Sequence, residues 1–245
     1  MSPIAAGQGV DLAYQEYGAG PAVLLIHGLA GDRLTVAPLA EEVSGAGARV
    51  VAYSRRGYAG SSAPEPYLGT TVAEQAADAA ALLRALDAAP AIVAGDGFGA
   101  LIGLDLLLRQ GDLVGAAVLQ DPPLYALVPE ATRELSDAYE ALRSTVTEGG
   151  PEAGVAGWLA GRADDDALAR AQAAHGAFFA DVAGLATLPV TRRELRALAQ
   201  PVTVLTGPRA SPATVAAADA LAALLPNVTR SHDGDLAGAT AALLA

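Results

Sequence analysis

Short runs of consecutive apolar residues, most closed by a turn rich in Gly, Pro, Ser or Asp, recur along this chain and fix the kind of sheet it can build. Residues 22–26 (AVLLI), 49–53 (RVVAY), 91–94 (AIVA), 113–119 (LVGAAVL) and 202–205 (VTVL) read as strands, with a weaker one at 227–230. A strand with one face in water alternates polar and apolar residues, whereas an unbroken apolar strand is covered on both faces. Residues 10–17 alternate better and suit an antiparallel edge hairpin. Between the runs lie stretches with helical spacing: 72–86, with Thr70 and Thr71 available as caps, 98–110 directly after the third run, and 212–225. Strand, helix, strand in repetition predicts a doubly wound α/β sheet, mostly parallel and flanked by helices.

The rhythm breaks once. From 123 to 200 the pattern is helical, at 130–147, 154–159, 164–185 and 191–198, with no good strand. A helical insertion at that point sits over the carboxyl ends of the strands, where open α/β sheets hold their ligands. The chain is therefore expected to divide into a core, residues 1–122 and 201–245, and a helical lid, residues 123–200. Hydrophobic residues make up 52% of the chain and charged residues 17%, which supplies a large core and excludes disorder.

Charge and rare residues remove several classes of function. Asp and Glu number 27 against 15 Lys and Arg, a net charge of −12. Nucleic acid and anionic membranes both need a basic face, so neither is expected as a partner. A small-molecule substrate is expected, and a homodimer is left open. There is no cysteine, hence no disulfide, thiolate metal site or cysteine nucleophile. With His27, His175 and His232 as the only histidines, no metal and no cofactor are expected. The start, MSPIAAGQGV, lacks the basic and apolar regions of a signal peptide. The longest apolar run, 97–108, is broken by Asp105 and too short for a bilayer, so the cytoplasm is the expected compartment.

The most informative stretch is IVAGDGFGALIGLDLLLR, a strand, a turn and a helix around Gly95 and Gly99. The two small residues have the spacing of a nucleophile elbow, G-x-S-x-G, whose strained central residue projects over the sheet. With HGLAGD, YSRRGYAGSS, GTTVAEQAADAAALL, LQDPPL and the terminal PNVTRSH, in that order, the chain resembles the α/β-hydrolase superfamily, and within it a bacterial lid-containing subgroup. The resemblance implies the α/β-hydrolase fold and an oxyanion hole formed by backbone N–H groups of Leu29 and Phe98. It puts Gly97 where the family carries its nucleophilic serine and Ala210 where it commonly carries its acid. It puts His232 at the place of the catalytic histidine, and it implies a structural role for the turn at Arg55 and Arg56.

Asp96 is then either the residue before the nucleophile position, free to act as acid or base, or itself the nucleophile. The second choice would set Phe98 where a small residue belongs. Asp121, at the end of the fourth strand, either orients His232 or caps the entrance to the insertion. Loss of a triad serine costs about 10⁶-fold in hydrolysis. The parts that remain suit proton abstraction beside a carbonyl, with the enolate held by backbone donors. The leading expectation is a non-hydrolytic cyclase or lyase acting on a small apolar, polyketide-like metabolite, with His232, Asp121 and Asp96 as catalytic residues. Beside it stand a catalytically inactive ligand-binding homologue, and a hydrolase, dehalogenase or epoxide hydrolase using Asp96. His27, Tyr125, Trp158, His175, Phe178 and Phe179 are the expected substrate-binding residues, although His27 reads first as a structural residue shaping the oxyanion loop, because the hole uses backbone donors. Asp32 with Arg33 reads as a surface ion pair, and Arg209 is a candidate for an anionic substrate.

Overall fold

Eight strands form one sheet, in a computed structural model that describes residues 2–129 and 131–244, and of Thr132 the backbone. The edge is antiparallel: β1 (Ile4–Ala6) pairs with β2 (Asp11–Tyr17), which pairs with β4 (Arg49–Tyr53). The rest run parallel, from β4 through β3 (Ala22–Ile26), β5 (Ala91–Asp96), β6 (Val114–Gln120) and β7 (Val202–Thr206) to β8 (Val228–His232). The chain has the mostly parallel, helix-flanked α/β sheet expected from its sequence. The alternating stretch at 10–17 is one strand of an antiparallel edge hairpin whose other arm is the upstream β1, and its second neighbour is β4.

The unbroken apolar runs follow from two cores, one on each face of the sheet. Successive side chains of a strand point to opposite faces. Leu24 and Ile26 of β3 therefore enter the core beneath α2 (Val72–Ala85), α3 (Phe98–Arg109) and α9 (Pro212–Ala222). Val23 and Leu25 enter the other core, beneath α1 (Ala37–Gly45) and α10 (Leu236–Ala241). Thr71 starts α2 through a reciprocal capping box with Glu74. Helices α1 and α10 carry only a weak sequence signal. In α1 only Ala40 and Val43 are buried, and α10 is a single capped turn and a half, started by the Asp235 carboxylate accepting from the Gly238 N–H.

Between β6 and β7 come helices α4 (Ala131–Gly149), α5 (Pro151–Leu159), α6 (Asp165–Ala173), α7 (His175–Gly184) and α8 (Arg192–Arg196). The expected helix start at 130 lies outside the described residues. The stretch expected as one helix at 164–185 is two. Asp164 caps α6 through the Ala167 N–H, and the chain turns at Ala174 before α7. Phe178, Val182, Val155 and Ala171 form a small core of this segment, which reaches Ala30 after β3. Among the described residues, no helix is long and apolar enough to cross a membrane.

Candidate active site

The turn from β5 into α3 is built from glycines for steric reasons that differ at each position. A Cβ on Gly99 would lie 2.2 Å from the Ile26 carbonyl oxygen, and one on Gly95 2.4 Å from the Gly99 carbonyl oxygen. Both contacts are with backbone, which cannot swing away. Gly97 stands at the apex with φ 53° and ψ −114°, and its N–H donates to the Gln120 carbonyl at 2.9 Å. A Cβ there would meet no atom within 4 Å. Gly99→Ala is therefore expected to destabilise the fold by about 1–3 kcal/mol through overpacking. Gly97→Ala is expected to cost only about 1 kcal/mol of backbone strain. Thermal unfolding of the two variants measures the difference, and equal losses would contradict this geometry.

The apex fixes the register of the chemistry. Asp96 is the last residue of β5 and Gly97 the residue before α3, so Asp96 does not occupy the elbow position itself. Its carboxylate lies in the floor of a cavity of about 500 Å³ at the carboxyl ends of the strands. The cavity's walls include Gly28, Leu29, Gly97, Phe98, Gln120 and Asp121. Asp96 Oδ1 accepts a long 3.4 Å hydrogen bond from Gln120 Nε2, and Oδ2 faces Gly28. Burial, together with the nearby charge of Asp121, pushes its pKa up to about 6 against the opposing effects of Gln120 and Arg162. The carboxyl thus changes charge close to neutral pH, as an acid or base needs.

Asp121 follows β6 with φ +46°, in the left-handed region that non-glycine residues avoid. Its N–H donates to the Leu205 carbonyl and its Oδ1 accepts from the Gly207 N–H at 3.0 Å, which ties the ends of β6 and β7 together. Burial also raises its pKa, although the Gly207 N–H and Arg230 oppose this. Leu29 and Phe98, the expected oxyanion donors, both line the cavity. Neither N–H donates to a backbone carbonyl among the described residues, so both remain available to a ligand oxygen.

His232 does not join this group. It ends β8 in register with Thr206, is exposed, and is absent from the cavity wall. Its Nδ1 lies 3.4 Å from Arg230 Nη2, and it makes no ion pair with Asp121 within 4.0 Å. The expected Asp121–His232 pair is therefore not formed: Asp121 lines the cavity and accepts from the Gly207 N–H, while His232 is exposed at the end of β8. The other two histidines are also outside the cavity. His27 is buried: its Nδ1 hydrogen bonds to the Gly28 carbonyl at 2.9 Å and its Nε2 accepts from the Arg55 N–H at 3.0 Å. Burial and then Arg55 hold it well below the usual pKa, so it is neutral and shapes the loop. His175 Nδ1 contacts the Gln172 carbonyl on the outer side of α7.

The aromatic residues expected to bind substrate divide between the cavity and the core. Tyr125 and Trp158 face the cavity. Phe178 is fully buried in the core of the helical segment, stacked edge-on with Phe179, and neither lines the cavity. Residues not foreseen complete the wall, among them Gln120, Glu134, Tyr139 and Arg162. Gln120 had a signal, a polar side chain at the carboxyl end of an apolar strand; Arg162 had none, since it sits in a polar turn. Asp32 and Arg33 are not paired with each other. Asp32 bonds Arg170 at 2.7 Å, and Arg33 hydrogen bonds to Ser54 and Ser2. Arg55 and Arg56 are structural, buried against Asp181 and Asp78. Among the described residues no three acidic or histidine side chains group as metal ligands.

Comparison with known proteins adds a lineage to this geometry. Residues 21–180 match the family model described as alpha/beta hydrolase fold. A Bacillus subtilis protein named uncharacterized hydrolase YraK is 35% identical over 120 residues, 49% of this chain and 44% of that protein. A protein named epoxide hydrolase from Caballeronia sordidicola is 33% identical over 141 residues, 57% of this chain and 41% of that one. The chain thus spans less than half the length of these curated relatives. The solved structure of an alpha/beta hydrolase from Sphaerobacter thermophilus shares the fold, with a TM-score of 0.74 at 22% identity over 99% of this chain and 98% of that one.

Proposed function

This chain belongs to the alpha/beta hydrolase fold family, and from that premise we propose that it is a hydrolase in which the buried Asp96 carboxylate activates water, with no side-chain nucleophile at the elbow. The carrying observation is Asp96 itself: a carboxyl with pKa about 6 in the cavity floor, beside two unused backbone donors. The open space over Gly97 is where a family serine would project, and it leaves room for the attacking water. Asp96 takes a proton as the water oxygen bonds to the electrophilic carbon. The developing oxyanion is met by the Leu29 and Phe98 N–H groups. The carbon–oxygen bond to the leaving group then breaks, and the Asp96 carboxyl returns its proton to the leaving oxygen. One water is added and Asp96 is regenerated. The substrate class is an ester or lactone with a compact apolar body; an epoxide would open in the same step as water attacks, its ring oxygen becoming the alkoxide that takes the proton.

Two observations favour hydrolysis over the cyclase or lyase chemistry expected from the sequence. Curated relatives carry hydrolase and epoxide hydrolase in their names. His232, the base of that scheme, lies outside the cavity. Asp96 as covalent nucleophile is disfavoured by its place on the strand side of the apex.

The test is a panel of p-nitrophenyl esters, lactones and styrene oxide, followed by single-turnover hydrolysis in H₂¹⁸O. Label is expected in the product and none in the peptide that carries Asp96. Label in Asp96 would establish a covalent intermediate, and no turnover of any class would overturn the hydrolase reading. In the pH profile, kcat/KM is expected to rise as pH increases through about 6, because the base must be ionised. A profile that falls through that range would make Asp96 the acid instead.

A further inference from the structure

We propose that Arg162 and Arg209 form a subsite for the carboxylate of an anionic substrate at the mouth of the cavity. The proposal deepens the hydrolase reading and rests on it only for what happens to the molecule once bound.

Both arginines line the cavity. Several other arginines pair with acids, among them Arg55 with Asp181, Arg109 with Glu194 and Arg230 with Asp219. Among the described residues, neither Arg162 nor Arg209 has a carboxylate within 4.0 Å or a side-chain hydrogen bond, in a chain with 27 acidic residues. Their positions are set by the backbone. The Arg162 N–H donates to the Leu159 carbonyl at 2.7 Å just after α5, and its guanidinium lies 5.6 Å from the Trp158 ring centroid. Arg209 is held in a turn closed by the Ala210 N–H to the Gly207 carbonyl at 3.1 Å, directly after Pro208.

The two guanidiniums oppose each other. The Arg209 charge acts with burial to lower the pKa of Arg162, while Asp96 raises it. Holding two like charges at one opening is unfavourable unless an anion lies between them. Asp96, Asp121 and Glu134 also line the cavity. Asp121 is already engaged by the Gly207 N–H, and Glu134 accepts from the Ala213 N–H at 3.3 Å. Asp96 sits on the floor. The mouth is therefore the cationic end and the floor the reactive end. With a net charge of −12 the chain repels anions at long range, so recognition falls to short-range bidentate hydrogen bonds, for which the guanidinium fork suits a planar carboxylate. A substrate with a carboxylate at one end and a cleavable carbon–oxygen bond at the other fits this polarity.

The test uses titration calorimetry with phenylacetate and its neutral isostere phenylacetamide. Wild type, Arg162→Gln, Arg209→Gln, the double variant and Asp96→Asn are compared, with melting temperatures to confirm folding. Phenylacetate is expected to bind wild type and Asp96→Asn, and to bind at least about 10-fold more weakly in each arginine variant. Phenylacetamide is expected not to distinguish them. Phenylacetate binding no tighter than the amide, or unchanged in the double variant, overturns the proposal. Because the readout is binding, the two readings fail separately. Turnover of neutral esters without carboxylate preference defeats the subsite alone, and carboxylate binding without turnover defeats the hydrolase alone.

Discussion

Asp181→Ala is expected to destabilise the protein by about 3–5 kcal/mol, the usual loss when one partner of a buried ion pair is removed. Asp181, in α7, is wholly buried and is held by one ion pair and two hydrogen bonds from the core. These come from Arg55 Nη2 at 2.7 Å, the Tyr58 hydroxyl at 2.7 Å and Gln75 Nε2 at 2.6 Å. Alanine would strand the Arg55 guanidinium in a site with 1% exposure, and that uncompensated charge accounts for most of the loss. The same guanidinium donates to the His27 and Gly28 carbonyls, at 3.1 and 3.0 Å. The pair therefore holds the helical segment against the core and also orients the loop that carries the Leu29 N–H. Catalysis should fall along with stability, even below the melting temperature. Urea denaturation followed by circular dichroism measures the first effect. The double replacement Arg55→Met with Asp181→Leu is expected to recover much of the stability, since it leaves no buried charge, but not the activity. If Asp181→Ala cost under about 1 kcal/mol, the burial of this pair would be contradicted.

Much of this architecture was legible because hydrophobic periodicity is a local signal. The AVLLI, RVVAY and VTVL runs become strands because each feeds two cores, and positions 95 and 99 of the elbow must be glycine because a Cβ on either would lie within 2.4 Å of backbone. The site was legible only as far as it is built from the ends of those strands. Asp96, Asp121, Leu29 and Phe98 meet where strand order brings them. His232 was read from its place in a family pattern. Whether that position reaches the cavity depends on the conformation after β8 and on what Asp121 chooses as a partner, and neither is encoded by spacing. His175, Phe178 and Phe179 failed for a related reason. A helical face can be read from sequence, but whether it turns to the cavity or to its own small core is set by the packing of α5, α6 and α7. Arg162 and Gln120 entered the wall through contacts distant in sequence.

Asp96→Asn is expected to lower kcat/KM by about 10²–10⁴-fold, the range for loss of a general base, while making the protein more stable above pH 6. This combination separates a catalytic from a structural carboxylate. The carboxyl has a pKa of about 6 in the folded chain against an ordinary value of 3.8, so between these pH values the native state binds more proton than the unfolded state. Stability therefore declines as pH rises across that window and stays low above it. The asparagine cannot ionise and escapes the penalty, which is on the order of 1–3 kcal/mol at 1.36 kcal/mol per pKa unit. Its Oδ1 still accepts from Gln120 Nε2, so the geometry of the floor is kept. The measurements are melting temperatures from pH 4 to 8 and kinetics on the best substrate of the panel. The two proteins should converge near pH 4 and diverge above 6. An asparagine variant less stable than wild type at pH 8 would make Asp96 a structural residue, held in place by its charge, and the hydrolytic role would fall with it.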